Sequence, residues 1–250
     1  MNLIVTGASR GIGYEIVKQF SADSKNHIVA IARNKPNLEK LKRECLSINS
    51  SANIFPLVFD LSAGDLKNDL LPAILRYINP IDILINNAAT LINKPFEEIT
   101  EKELFSIYNT NVFSIFKLIQ ALVPYMNRKQ ASSNENEENS FEQSNAHIVN
   151  ITSIGGFQGS KKFPGLAAYS SSKGALSTLT ECLAEELEAE NIKVNALALG
   201  SVQTDMLSEA FPGYKALVTP AQMATFVVDF AIHGSKLFNG KIIPVSSATP

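Results

Sequence analysis

Short apolar runs alternate with longer amphipathic segments from the first residue of this chain almost to the last. The runs at residues 3–6, 27–32, 54–59, 81–86, 147–152, 193–198 and 241–245 have the length and apolar content of buried strands. Between the first two, Ile12, Ile16, Val17 and Phe20 recur at helical spacing and would lay one stripe on a sheet. Residues 101–126 and 168–190 read as the two longest helices, and 220–233 as a shorter one near the end. Repeated strand–helix units of this kind predict an α/β fold: a doubly wound, seven-stranded parallel sheet with helices on both faces.

At 250 residues, 45% of them hydrophobic, the chain is long enough to bury a large core, and a single domain over 1–250 is expected. One segment breaks the pattern. Residues 128–144 are almost wholly Asn, Glu, Ser, Gln and Lys, too polar to offset their own ordering entropy, and predict a mobile surface insertion. The formal net charge of -2 leaves no basic face for a nucleic acid. Cys45 and Cys182 stand in predicted helices outside any metal-ligand spacing, so no metal is expected. No run approaches the roughly 18 apolar residues of a membrane span. With no export signal at the start either, a cytoplasmic protein is expected.

Candidate chemistry begins directly after the first strand. Thr6-Gly7-Ala8-Ser9-Arg10-Gly11-Ile12-Gly13 closes that strand and opens a helix, the setting a dinucleotide-binding glycine turn requires. Gly7 would allow the tight turn, Gly11 the approach of backbone to a pyrophosphate, and Gly13 close packing of helix on strand. The position about 20 residues further on carries an acid for the ribose 2′-hydroxyl in NAD enzymes. Here it is Arg33, followed by Asn34. With Arg10 inside the turn and no acid beside either arginine, the pattern points to a 2′-phosphate and NADP(H), the alternative being two solvated surface cations.

Tyr169-Ser170-Ser171-Ser172-Lys173 sets a phenol and an ammonium four residues apart, on one face of a helix. A free phenol titrates near pH ~10, and a neighbouring cation would draw it toward neutrality, where proton transfer is efficient. Ser153 closes the fifth strand, Asn86-Asn87-Ala88-Ala89 closes the fourth, and Asn111 falls in the long helix that follows. The carboxyl ends of parallel strands are where such sheets place their functional groups.

Together, Thr-Gly-x-x-x-Gly-Ile-Gly at 6–13, Asn-Asn-Ala-Ala at 86–89, Asn111, Ser153 and Tyr169-x-x-x-Lys173 resemble the short-chain dehydrogenase/reductase family over essentially the whole chain. The resemblance implies a Rossmann fold and reduction of a small carbonyl substrate to an alcohol. It implies that Tyr169 is the general acid/base, that Ser153 positions the carbonyl, and that Lys173 binds the nicotinamide ribose and lowers the Tyr169 pKa. Asn111 would support a water in a proton relay. Asp60 and Leu61 would flank the adenine; Asn87, Ala88 and Ala89 would line the cofactor; Gly200, Val202 and Thr204 would reach the nicotinamide side.

Leu199-Gly200 departs from the family's Pro-Gly, and Ala89 replaces its glycine. Only about a dozen residues separate Thr204-Asp205 from the helix at Pro220, which predicts a short lid and an open cleft. The glycine turn resembles those of 3-oxoacyl-carrier-protein reductases, which makes their substrates the first guess, with steroid-like, pteridine or xenobiotic carbonyls as competitors. Relatives pair through the two long helices and often form tetramers through the last strand, so a homodimer or homotetramer is implied. The competing readings are a catalytically idle NADP(H)-binding sensor or scaffold, and a methyl-transfer enzyme on a similar sheet.

Overall fold

The computed structural model describes residues 1–126 and 145–246. The insertion expected at 128–144 and the last four residues lie outside them. Seven strands form the sheet: β1 (Asn2–Thr6), β2 (His27–Ala32), β3 (Asn53–Val58), β4 (Ile83–Asn86), β5 (Ala146–Ser153), β6 (Ile192–Leu199) and β7 (Ile242–Val245). They run parallel in the order β3-β2-β1-β4-β5-β6-β7, so the winding reverses between β1 and β4. In an open α/β sheet that reversal leaves a crevice at the carboxyl ends of the strands.

The helices are α1 (Gly11–Phe20), α2 (Lys35–Ile48), α3 (Leu71–Leu75), α4 (Glu101–Tyr108), α5 (Ser114–Met126), α6 (Ala167–Glu186), α7 (Asp205–Ala210) and α8 (Pro220–His233). They bury two separate cores because successive strand residues point to opposite faces. Leu3 and Val5 of β1 join α1, α2 and α8 on one face, while Ile4 joins α3, α5 and α6 on the other. The sheet centre is therefore buried on both sides, as the unbroken apolar runs require.

One imidazole ties three elements together on the first of these faces. His147 Nδ1 lies 3.0 Å from the Ala231 carbonyl of α8, and Nε2 lies 3.1 Å from Asn195 Nδ2 of β6. Asn195 Nδ2 also donates to the Phe238 carbonyl at 2.9 Å, and its Oδ1 accepts the Lys241 N–H at 3.1 Å. The amide orientation is thereby fixed, and the ring must carry its hydrogen on Nδ1. Burial pushes this histidine down to about 4.

The helix expected over 101–126 is broken. A π-helical turn, Asn109–Phe113, separates α4 from α5. Asparagine side chains tie this turn to its surroundings: Asn109 Nδ2 donates to the Ser62 carbonyl at 2.7 Å, and Asn111 is held on two other segments. Such turns gather at functional sites.

Candidate active site

The crevice opens where the ends of β1 and β4 are joined. Thr6 Oγ1 accepts the N–H groups of Asn87 and Ala88, each at 3.0 Å, and Asn87 Nδ2 donates back to the carbonyls of Thr6 at 3.0 Å and Gly7 at 3.3 Å. Asn87 thus fixes the glycine turn. Gly7 has φ +67°, and a Cβ there would lie 2.8 Å from the Ala88 Cα. At Gly13 a Cβ would collide with the Asn87 amide and the Gly7 carbonyl, so this glycine makes room for the turn itself and for Asn87.

Gly11, φ +61°, begins α1, and a Cβ there would lie 3.4 Å from the Thr204 methyl. Arg10 at the N-cap makes no side-chain cap bond, and no acid stands in the first turn. The leading N–H groups of α1 are therefore available to an anion, with the positive end of the helix dipole behind them. That arrangement fits a dinucleotide pyrophosphate. Ser9 is half-buried inside the turn, and Ile12 packs against the core below it.

Both arginines find acids that their sequence neighbourhoods do not show, which corrects the expectation that none stands beside them. Arg10 Nη1 lies 3.0 Å from Glu209 Oε1 and 3.8 Å from Asp205 Oδ2, both on α7. Arg33 Nη1 lies 3.8 Å from Asp60 Oδ2. Asp60 accepts the N–H and hydroxyl of Ser62 at 2.9 and 2.6 Å. Against burial, which would raise it, these bonds and the Arg33 charge hold its carboxyl below the usual range. Leu61 beside it is half-buried. The Asn34 Oδ1 caps α2, accepting the Asn37 N–H at 2.9 Å.

Ser153 ends β5 and Tyr169 stands in the first turn of α6, where the Ser153 hydroxyl acts on the phenol. Ser153 Oγ also accepts the Gly155 N–H at 3.2 Å. Lys173 is 1% exposed; its Nζ donates to the Ile151 carbonyl at 2.8 Å and lies 5.9 Å from the centre of the Tyr169 ring. Burial pushes this lysine down to about 8. The phenol moves the opposite way from the expected one. Tyr169 keeps part of its ring accessible, but protein packed around the hydroxyl pushes it up to about 12, with the Ser153 bond pulling the other way. Desolvation of an anion outweighs a cation whose proton points at a backbone carbonyl.

Asn111, fully buried in the π-turn, exchanges bonds with both backbone groups of Thr90 at 2.9 and 3.0 Å and donates to Ser172 Oγ at 3.0 Å. It joins the segment after β4, Ala89 included, to the helix that carries Tyr169 and Lys173. On the far side, Gly200 N–H donates to the Val245 carbonyl at 2.9 Å, and a side chain at 200 would meet Ser246. Val202 is buried and pairs with Val218; Thr204 Oγ1 caps α7 by accepting the Leu207 N–H at 3.2 Å.

The lid is short, yet it does not stand clear of the cleft. Asn93 Nδ2 donates to the Ala210 carbonyl at the end of α7 at 2.7 Å, and Lys94 N–H donates to the Gly165 carbonyl at 3.0 Å. Three loops are thus laced together at the mouth. Sequence reasoning missed Asn93, Asp205 and Glu209, which carry no local signal because their partners lie far along the chain. A cleft of about 1000 Å³ adjoins this lacing, lined by Phe96, Phe157, Phe163, Leu166, Ser170 and Gly174. It borders α6 beside the Tyr169 and Lys173 positions, but neither of those side chains lines it.

The family model for short chain dehydrogenases matches residues 1–215. This chain belongs to that family. Membership makes it an oxidoreductase, in keeping with the names of its relatives. It is 27% identical to the 3-oxoacyl-(acyl-carrier-protein) reductase of Chlamydia trachomatis, covering 97% of this chain and 94% of that one. It is 31% identical to carbonyl reductase (NADPH) 2 of Sus scrofa, covering 82% and 73%. Among solved structures, a short chain dehydrogenase of Shigella flexneri complexed with NADP superposes with a TM-score of 0.80 at 24% identity, covering 97% and 95% of the two chains. A 3-ketoacyl-(acyl-carrier-protein) reductase of Brucella melitensis complexed with NADH does so with the same score and identity, covering 98% and 96%. The short-chain dehydrogenase fold of this protein is thus matched over nearly its full length. Among the described residues no helix is long and apolar enough to cross a membrane.

Proposed function

We propose that this protein uses NADPH to reduce a ketone or aldehyde to an alcohol, with Tyr169 as the general acid. The placement of Ser153 at the carboxyl end of β5 and Tyr169 in the first turn of α6, backed by the buried Lys173 ammonium 5.9 Å from the Tyr169 ring centre, carries this reading. A bound nicotinamide dinucleotide supplies the hydride. The chain's own residues handle the oxygen. Ser153 and Tyr169 hold the carbonyl oxygen between their hydroxyls and stabilise negative charge as it develops there. A phenol pushed up to about 12 stays protonated at neutral pH and donates readily to a developing alkoxide, a stronger base still. Lys173, pushed down to about 8, is a better proton donor near neutrality than a free lysine and stands over the same ring.

The glycine turn and the uncapped start of α1 support pyrophosphate binding, and Arg10 with Arg33 supports a 2′-phosphate over a bare ribose. Likeness to 3-oxoacyl-carrier-protein reductases supports a 3-oxoacyl thioester as the first substrate class to try. Leu104, Phe105, Phe113 and Phe116 stay exposed along α4, the π-turn and α5, which supports pairing of two copies through these helices. The test is NADPH absorbance against a panel of 3-oxoacyl thioesters, aldehydes, aromatic ketones, steroid-like ketones and pteridines. Turnover of at least one class with NADPH is expected. Tight NADPH binding with no turnover across the panel would instead favour an idle binding protein.

A further inference from the structure

Asp205 and Glu209 stand four residues apart on α7, so their carboxylates share one face of that helix. The face is turned to the cofactor loop. Thr204, which caps α7, packs its methyl against the open side of Gly11, and both carboxylates converge on a single nitrogen of Arg10. Two acids thus surround the one cation that the glycine turn offers to a 2′-phosphate. Arg33, the second such cation, has only Asp60 beside it and is not drawn toward α7.

We propose that Glu209 and Asp205 are determinants of cofactor choice, competing with the 2′-phosphate of NADP(H) for the Arg10 guanidinium and restraining the preference for NADPH over NADH. The proposal rests on the NADPH reading above. A phosphate monoester must share the Arg10 guanidinium with Glu209 or take Nη1 from it, and it must approach against two negative charges. NADH brings no charge to that point and leaves the ion pair in place. The acids therefore act on one dinucleotide and spare the other. All three side chains are about half exposed or more, which limits the effect to that of a surface ion pair. The competition also reaches the lid. An Arg10 taken by phosphate gives up its ion pairs to α7, while the bond from Asn93 to the Ala210 carbonyl at the end of that helix remains.

The test is titration of the full-length protein with NADPH and with NADH, followed by the fluorescence of the reduced nicotinamide at low ionic strength. The parent, Glu209→Gln and the double variant Asp205→Asn/Glu209→Gln are compared, each with Arg10 intact and with Arg10→Gln. We expect the double variant to bind NADPH up to about fivefold more tightly with NADH unchanged, and the single variant to show part of that gain. In the Arg10→Gln background the gain should vanish. An unchanged NADPH affinity, an equal gain for both dinucleotides, or a gain that survives without Arg10 would each overturn the competition while leaving the NADPH reading intact. A parent protein that binds NADH but not NADPH would overturn the cofactor reading and this proposal with it.

Discussion

Lys173 and Arg33 each place a cation at the carboxyl edge of the same sheet, yet the first is 1% exposed and the second has a side chain 74% exposed. Around Lys173 the chemistry is set by desolvation: the ammonium is driven down, the neighbouring phenol up, and the ammonium is held by a short bond to the Ile151 carbonyl of β5. Around Arg33 and Arg10 the groups meet water, and their partners are carboxylates at 3.0 to 3.8 Å that an incoming anion can displace. The contrast suits two tasks. Proton transfer needs fixed donors in a low-dielectric setting, whereas cofactor binding and release need charges that exchange partners at little cost.

Removing the reacting hydroxyl tests the buried side most severely. Tyr169→Phe keeps the ring and its packing but deletes the proton donor, and turnover should fall by about 10²- to 10⁴-fold with NADPH still bound. Steady-state kinetics on any substrate found by the panel, alongside nicotinamide fluorescence, make the check. A variant that keeps full turnover would show that the buried side is packing and not chemistry.

The cost of burying the ammonium is the next largest effect, and it has a definite sign. Lys173 titrates at about 8 in the folded protein against 10.5 in a free side chain. Below pH 8 it is charged in both states and the full penalty for burying the charge is present. Between 8 and 10.5 the unfolded chain holds more protons, so this group makes stability rise with pH across that window. Lys173→Met removes the dependence. The stability of the variant relative to the parent should therefore decline by about 3 kcal/mol as pH rises from 8 to 10.5, since a tenfold change in proton affinity is worth about 1.4 kcal/mol. Urea unfolding at a series of pH values measures it; a constant difference would mean that the ammonium is not desolvated.

The two sides also differ in how far the chain's pattern reveals them. Strand β2 and helix α8 occupy the residues expected of them, because an unbroken apolar run and the Thr219–Gln222 capping box are local signals. The glycine turn and the Tyr169-Lys173 spacing are local in the same sense. The π-turn is not, since the Asn111 side chain within it finds partners 21 and 61 residues away. Nor is the direction of the Tyr169 shift, which depends on how densely the folded chain surrounds the hydroxyl. The acids facing Arg10 lie nearly 200 residues further along the chain, brought there only by the winding of the sheet. Sequence spacing reports which groups share an element; it is silent on charges that meet across elements, and those decide the exposed side.

Arg33 is where a smaller effect than that of Tyr169→Phe or Lys173→Met is expected, and where it separates the two sides most cleanly. If its guanidinium selects the 2′-phosphate, Arg33→Gln should weaken NADPH binding by about tenfold, the value of a charge-assisted hydrogen bond at a wet site, and leave NADH binding alone. Because the group is exposed, the effect should shrink with salt: at roughly 0.1 M ionic strength, charges about 10 Å apart are already screened. The preference of the parent for NADPH should fall over the same salt range, while the loss caused by Tyr169→Phe, made inside the protein, should not move. Titrations of both dinucleotides at low and high salt decide the matter. An Arg33→Gln effect indifferent to salt would place this arginine in a closed, desolvated contact, and the division between a buried chemical side and an exchangeable charged side would have to be redrawn around it.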